Sequence, residues 1–145
     1  MANHFGIDLG TSNCALAHAA EDGPPTTLPL TQVMGPTAIG EQTLLPSNVF
    51  LPAEGEFPAG VPALPWQTKP RQWVLGALAR ERAPLQPDRV IASAKSWLCH
   101  PGVDRKGAIL PTDAPEEVSR LSPFAASVQY LAHLRDAWNH AHPEA

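Results

Sequence analysis

The chain has 145 residues, with 10 basic and 14 acidic side chains and a formal net charge of −4. That length suits one domain able to bury roughly two-thirds of its unfolded surface, and a composition of 43% apolar and 17% charged residues excludes a charge-rich disordered chain. No run approaches the ~18 consecutive apolar residues of a spanning helix, the opening Met1-Ala2-Asn3-His4 lacks the basic start of a signal peptide, and an acidic chain whose only lysines are Lys69, Lys95 and Lys106 argues against nucleic acid as a main partner. The two cysteines, Cys14 and Cys99, fit neither a disulfide framework nor a zinc site, so a reducing, cytoplasmic setting is expected, with no membrane involvement.

In chain order, His4-Phe5-Gly6-Ile7-Asp8-Leu9 alternates with period two and predicts a strand with Phe5, Ile7 and Leu9 on one face. Gly10-Thr11-Ser12-Asn13 supplies turn chemistry, and residues 14–19 return as a second strand. Residues 26–32 and 44–51 are weaker strands, the second interrupted at Pro46. The 17 prolines of the chain concentrate between Pro24 and Pro70. Each fixes φ and removes a donor, which excludes a long helix or a central strand there and makes residues 52–70 a proline-rich surface loop. A short apolar run at 73–75 precedes an alanine- and arginine-bearing helix at 76–82, and residues 88–98 suit a short strand followed by a helical turn, which periodicity alone does not decide. Residues 104–121 read as irregular, with one helical turn at 113–119. The clearest helix is 122–141, capped by Ser122 with Pro123 at the first helical position. Phe124, Val128, Leu131, Leu134 and Trp138 form its expected apolar stripe. The whole reads as a mixed α+β domain, a small mixed sheet over residues 4–51 with helices packed on it.

The chemistry concentrates in the first hairpin. Opposite the apolar face stand His4, Gly6, Asp8 and Gly10, so two glycines clear space around a carboxylate. The turn that follows offers successive backbone N–H groups and hydroxyls, an arrangement that makes an anion-binding concavity suited to phosphate. Asp8 repels phosphate directly but suits it through Mg²⁺, which takes few carboxylates and keeps several waters. The turn is no Walker A loop, lacking Gly-Lys-Ser/Thr and a following helix. The alternative for these residues is an ordinary hairpin with a solvated aspartate.

Gly6-Ile7-Asp8-Leu9-Gly10-Thr11-Ser12-Asn13-Cys14 resembles the first phosphate loop of the DnaK-type (seventy-kilodalton heat-shock) chaperones, relatives of actin and the sugar kinases. In order along the chain, Leu45-Pro46-Ser47-Asn48-Val49-Phe50 is similar to that family's Pro-Ser strand, and Val74-Leu75-Gly76-Ala77-Leu78-Ala79 to a Gly-x-x-Ala helix start. Val90-Ile91-Ala92-Ser93-Ala94-Lys95-Ser96-Trp97-Leu98 is similar to the segment bearing its catalytic lysine, and Leu121-Ser122-Pro123 to the opening of a later helix.

The resemblance implies an α/β fold, the partial first lobe of the ribonuclease-H-like or actin-like ATPase architecture. It implies ATP or ADP with Mg²⁺ as ligands, Asp8 holding the metal through water, Gly10, Thr11, Ser12 and Asn13 cradling the β- and γ-phosphates, and Lys95 reaching the γ-phosphate. Client proteins and co-chaperones would be the partners. Ser12 and Asn13 stand where the commoner pattern has Thr and Tyr, which marks a divergent member. The second phosphate loop, Asp-x-Gly-Gly-Gly-Thr, and the adenosine pocket have no counterpart, so residues 1–145 are expected to be the beginning of the nucleotide-binding domain and inactive in hydrolysis by themselves. Two alternatives belong to other classes: a nucleotide-independent interaction module docking through the proline-rich loop, and a sugar- or acetate-kinase-like member of the same superfamily.

Other signals carry less. His133 and His140 lie about 10 Å apart along one helix, too far for one ion without further ligands, and with His142 they read as solvated or tail residues. Trp66 and Trp73 flank Gln67-Thr68-Lys69-Pro70-Arg71, an aromatic-basic patch expected to anchor loop to core.

Overall fold

Residues 3–144 are described by a computed structural model. The alternation at the start of the chain produces β1 (Asn3–Leu9) and β2 (Asn13–Ala20), antiparallel and in register from Asn3 opposite Ala20 to Leu9 opposite Cys14. β2 also pairs with β3 (Thr26–Thr27). β4 (Leu30–Gly35) and β5 (Ala38–Gln42) form a second hairpin around Pro36-Thr37. β6 (Leu45–Pro46) joins the start of β2, and one residue later β7 (Asn48–Phe50) lies between β8 (Val74–Leu75) and β9 (Val90–Ala92). The helices are α1 (Ala77–Arg82), α2 (Ala94–Leu98) and α3 (Pro123–Ala141).

The fold is a mixture of helices and sheets, as expected, but the single mixed sheet is not there. Every ladder among the described residues is antiparallel, and the strands divide into three small sheets. Hairpin links as short as Gly10–Ser12 or Pro36-Thr37 join only antiparallel neighbours, and Ser47, between β6 and β7, hands the chain from one sheet to the next. Residues 113–119 form turns rather than a helical turn. β5 went unforeseen because Ala38-Ile39-Gly40-Glu41-Gln42 has no apolar alternation and stays largely exposed. No helix among the described residues is long and apolar enough to cross a membrane.

The main core joins Cys14 and Leu16 of β2, Leu30, Leu45, Val49 and Ile91 to Tyr130 and Leu134 of α3. A second cluster holds Phe50, Val74, Leu78 and Val90 under Leu64, Phe57 and Val61. The proline-rich stretch therefore contributes to burial: residues 52–70 contain no helix or strand, yet Leu64 is buried, and Glu56 accepts from the Ala53 N–H at 2.9 Å and pairs with Arg82 at 3.3 Å. Gln32, fully buried, accepts from the Ala77 N–H at 2.9 Å and donates to the Leu44 carbonyl at 3.0 Å. It thereby fixes the start of α1 against β4. Gly76, at φ +88°, leaves the room this needs, since a Cβ there would meet Gln32 Oε1.

α3 begins as predicted, with Ser122 Oγ accepting from the Ala125 N–H at 2.9 Å. Its buried face differs from the expected stripe. Ala126, Ser127, Tyr130, His133, Leu134 and Ala137 face inward, while Phe124, Val128 and Leu131 are 50%, 40% and 40% exposed. Small side chains at 126 and 137 let the helix approach the sheets closely, and this outweighs burying the larger residues one step around the helix. His133 is likewise no solvated residue. It is buried, and its Nε2–H donates to the Thr31 carbonyl at 2.9 Å, because a carbonyl only accepts.

Two outcomes follow. Leu134→Ala should cost about 2–5 kcal/mol by chemical denaturation, whereas Leu131→Ala should cost under about 1 kcal/mol; equal losses would restore the stripe read from the sequence. Burial pulls the His133 pKa down to about 4, the Thr31 carbonyl opposing and Arg71 adding to the fall. The unfolded chain binds a proton that the folded chain refuses, so stability is full above pH ~6.5 and is lost as pH falls towards about 4, on the order of 3 kcal/mol in all. In His133→Gln, which keeps a donor but does not titrate there, the denaturation midpoint should be flatter across that window.

Candidate functional site

Directly opposed residues of an antiparallel pair share a face, so the register assigns the two sides of the first hairpin. Phe5 with His18, Ile7 with Leu16 and Leu9 with Cys14 make one side. It turns toward α3, where Trp138 meets Phe5 edge-on at 4.7 Å and His18 at 4.8 Å. The other side is His4 with Ala19, Gly6 with Ala17 and Asp8 with Ala15. Asp8 thus rises exposed from a floor of alanine and glycine, with no ion pair or hydrogen bond among the described residues.

The turn after Leu9 is shaped by Ser47. Its N–H donates to the Ser12 carbonyl at 2.9 Å and its Oγ–H to the Gly10 carbonyl at 2.8 Å. With that hydroxyl proton committed, the Cys14 thiol donates to Ser47 Oγ at 3.3 Å. Both turn carbonyls are therefore held inward, while the N–H groups of exposed Thr11 and Ser12 have no acceptor among the described residues. Gly10 is required for closure, because a Cβ there would collide with the Asn13 carbonyl oxygen. Asn13 belongs to β2 rather than to the turn, and its Oδ1 accepts from Arg80 of α1 at 3.4 Å.

Lys95 sits exposed in the first turn of α2, just after Ser93, whose φ of +59° is left-handed. Burial raises the Cys14 thiol pKa, the Ser47 hydrogen bond opposing; Asp8 raises it further and Lys95 lowers it. The charges of Asp8 and Lys95, 87 positions apart, thus act in opposite senses on the buried thiol under the turn. Sequence reasoning missed Ser47 and Arg80 as parts of this site. Ser47 was visible only as a small polar residue after a proline, and Arg80 as a helix cation.

For phosphate, the turn offers two backbone N–H groups without acceptors among the described residues, beside the Asn13 to which Arg80 is bonded. For the metal, Asp8 is a single free carboxylate, and no group of three or more His, Cys, Asp or Glu converges among the described residues. Asp8 would therefore hold a Mg²⁺ ion through its water shell, the ion supplying charge neutralisation, and no all-protein metal cage is formed among the described residues. No family model matches the chain, and no curated protein matches it.

Ser47→Ala frees the Gly10 carbonyl and the Cys14 thiol together and should lower stability by about 1–2 kcal/mol. The same variant should hasten alkylation of Cys14, which is buried, relative to exposed Cys99; unchanged Cys14 reactivity would remove Ser47 from its place as the clamp of the turn.

Proposed function

We propose that the hairpin binds the terminal phosphates of ATP or ADP with Mg²⁺, and that the chain is the start of a nucleotide-binding domain of the DnaK-like, actin-like ATPase type. The observation that carries this is the orientation of the turn: Ser47 takes the carbonyls of Gly10 and Ser12, leaving the N–H groups of Thr11 and Ser12 for an outside acceptor. Thr11, Ser12 and the Gly10 backbone would hold phosphate oxygens, Asn13 would position Arg80 beside them, and Lys95 would meet the outermost phosphate as a point cation. Asp8 would orient the water shell of Mg²⁺, whose chemistry is to neutralise charge between phosphates. Client proteins and co-chaperones remain the partners implied by this reading.

The interaction-module reading gains from Phe5 and Ile7, 51% and 55% exposed, and from the outward stripe of α3. It predicts no nucleotide effect at all. The kinase-like alternative has no observation in its favour beyond the shared hairpin.

Thermal unfolding with Mg²⁺–ADP and with Mg²⁺–tripolyphosphate tests the proposal. Both ligands should raise the midpoint of the wild-type chain, and Asp8→Asn and Lys95→Ala should each weaken binding about tenfold or more. Steady-state ATP turnover should be absent, since the second phosphate loop has no counterpart in the 145 residues. A wild-type chain indifferent to both ligands would overturn the reading.

A further inference from the structure

Arg71 is the least explained charge in the molecule. Its guanidinium is about half-buried, and burial lowers its pKa with Asp136 opposing, yet it has neither a hydrogen bond nor an ion pair among the described residues. The other partly buried arginines are satisfied: Arg82 pairs with Glu56 at 3.3 Å, and Arg89 donates to the Leu51 carbonyl at 3.3 Å and pairs with Glu117 at 3.0 Å. Desolvating a guanidinium without a partner costs free energy, and this one lies between a recess shared with Asp136 and a cleft of about 550 Å³ that it also lines. Phe57, Val61, Trp73, Val118 and Leu121 give that cleft apolar walls. Trp73 adds an indole N–H that is buried without an acceptor. None of Asp8, Gly10, Thr11, Ser12, Asn13 or Lys95 lines it.

We propose that this cleft, between the 51–61 segment and residues 117–121, binds a small organic monocarboxylate carried on an apolar body, with Arg71 as its anchor. A guanidinium only donates, so the occupant must bring acceptors, and a planar carboxylate matches the guanidinium fork in two parallel bonds. The lining sets Arg71 and Arg89 against Glu54 and Glu117, so the anchor is the lone guanidinium of Arg71 and the occupant carries no more than one negative charge. Glu54 and Glu117 also line the cleft, and their carboxylates, the second already held by Arg89, disfavour a phosphate dianion. The volume is that of a small-molecule site, and the walls have the apolar majority such sites show. This binding stands apart from the phosphate hairpin and survives if that reading fails.

The experiment titrates the chain with octanoate, and in parallel with octan-1-ol, acetate and inorganic phosphate, by calorimetry and by the indole N–H resonances of ¹⁵N-labelled protein. Saturable binding of octanoate that moves the Trp73 indole signal is expected, with octanol and acetate each weaker by about tenfold or more. Arg71→Gln should weaken octanoate by about tenfold or more, and Lys69→Gln should leave it within about twofold. Val118→Trp, which fills the cleft and keeps Arg71, should abolish binding in a chain whose far-ultraviolet dichroism is native. Any of three results overturns the proposal: no saturable octanoate binding by the wild-type chain, octanol or phosphate bound as tightly as octanoate, or full affinity in Val118→Trp.

Discussion

The arrangement hangs on the two hydrogen bonds by which Ser47 clamps the turn after Leu9. Of the three carbonyls in the Gly10–Ser12 link, Ser47 supplies donors to two from one residue, its N–H to Ser12 and its hydroxyl to Gly10. The same residue sits where the chain leaves the hairpin sheet for the sheet of β7, β8 and β9. One serine therefore fixes the polarity of the turn and ties it to the layer that carries α1 and α2. Buried polar groups of this kind are costly unless fully paired, and here the Cys14 thiol completes the pairing at 3.3 Å.

From that tie the charged residues find their places. α1 starts where Gln32 receives the Ala77 N–H, and this sets Arg80 on the side where it meets Asn13. β9 leads through the left-handed Ser93 into α2, whose first turn carries the exposed Lys95. A left-handed serine costs energy that glycine would not, and it stands at the N-cap of α2, two residues before Lys95. Asp8 stands on a floor of alanines whose small size keeps it exposed and unpaired.

The proline-rich stretch plays a different part from the one its composition suggests. Prolines prevent regular structure across 52–70, but Leu64, Phe57 and Val61 still dock on the second core cluster, and Glu56 locks the segment to Arg82. Stiff segments lose less entropy on ordering than flexible ones, so a stretch without secondary structure can wall a cleft. The cleft it walls contains the one partly buried arginine without a partner among the described residues, which separates a second centre of binding chemistry from the hairpin.

The sequence alone determined the elements whose signals are local. Period-two alternation marked β1 and β2, Ser122-Pro123 marked the start of α3, and the alanine- and arginine-bearing run at 76–82 marked α1, whereas 73–75 read only as an apolar run and periodicity did not decide 88–98. The candidate residues Asp8, Gly10, Thr11 and Ser12 were legible because they are contiguous. Tertiary structure decided what depends on distance in the chain. It buried the face of α3 that carries Ala126, Tyr130, His133, Leu134 and Ala137, keeping Leu134 of the expected stripe and leaving Phe124, Val128 and Leu131 exposed, because close approach of helix to sheet is a property of two surfaces at once. It divided one expected sheet into three, buried His133 against Thr31, and brought Ser47 beneath a turn 35 residues earlier, Ser12. It also left Arg71 without a hydrogen bond or ion pair among the described residues, since the pairing of a charge is settled by neighbours in space and local patterns are blind to them.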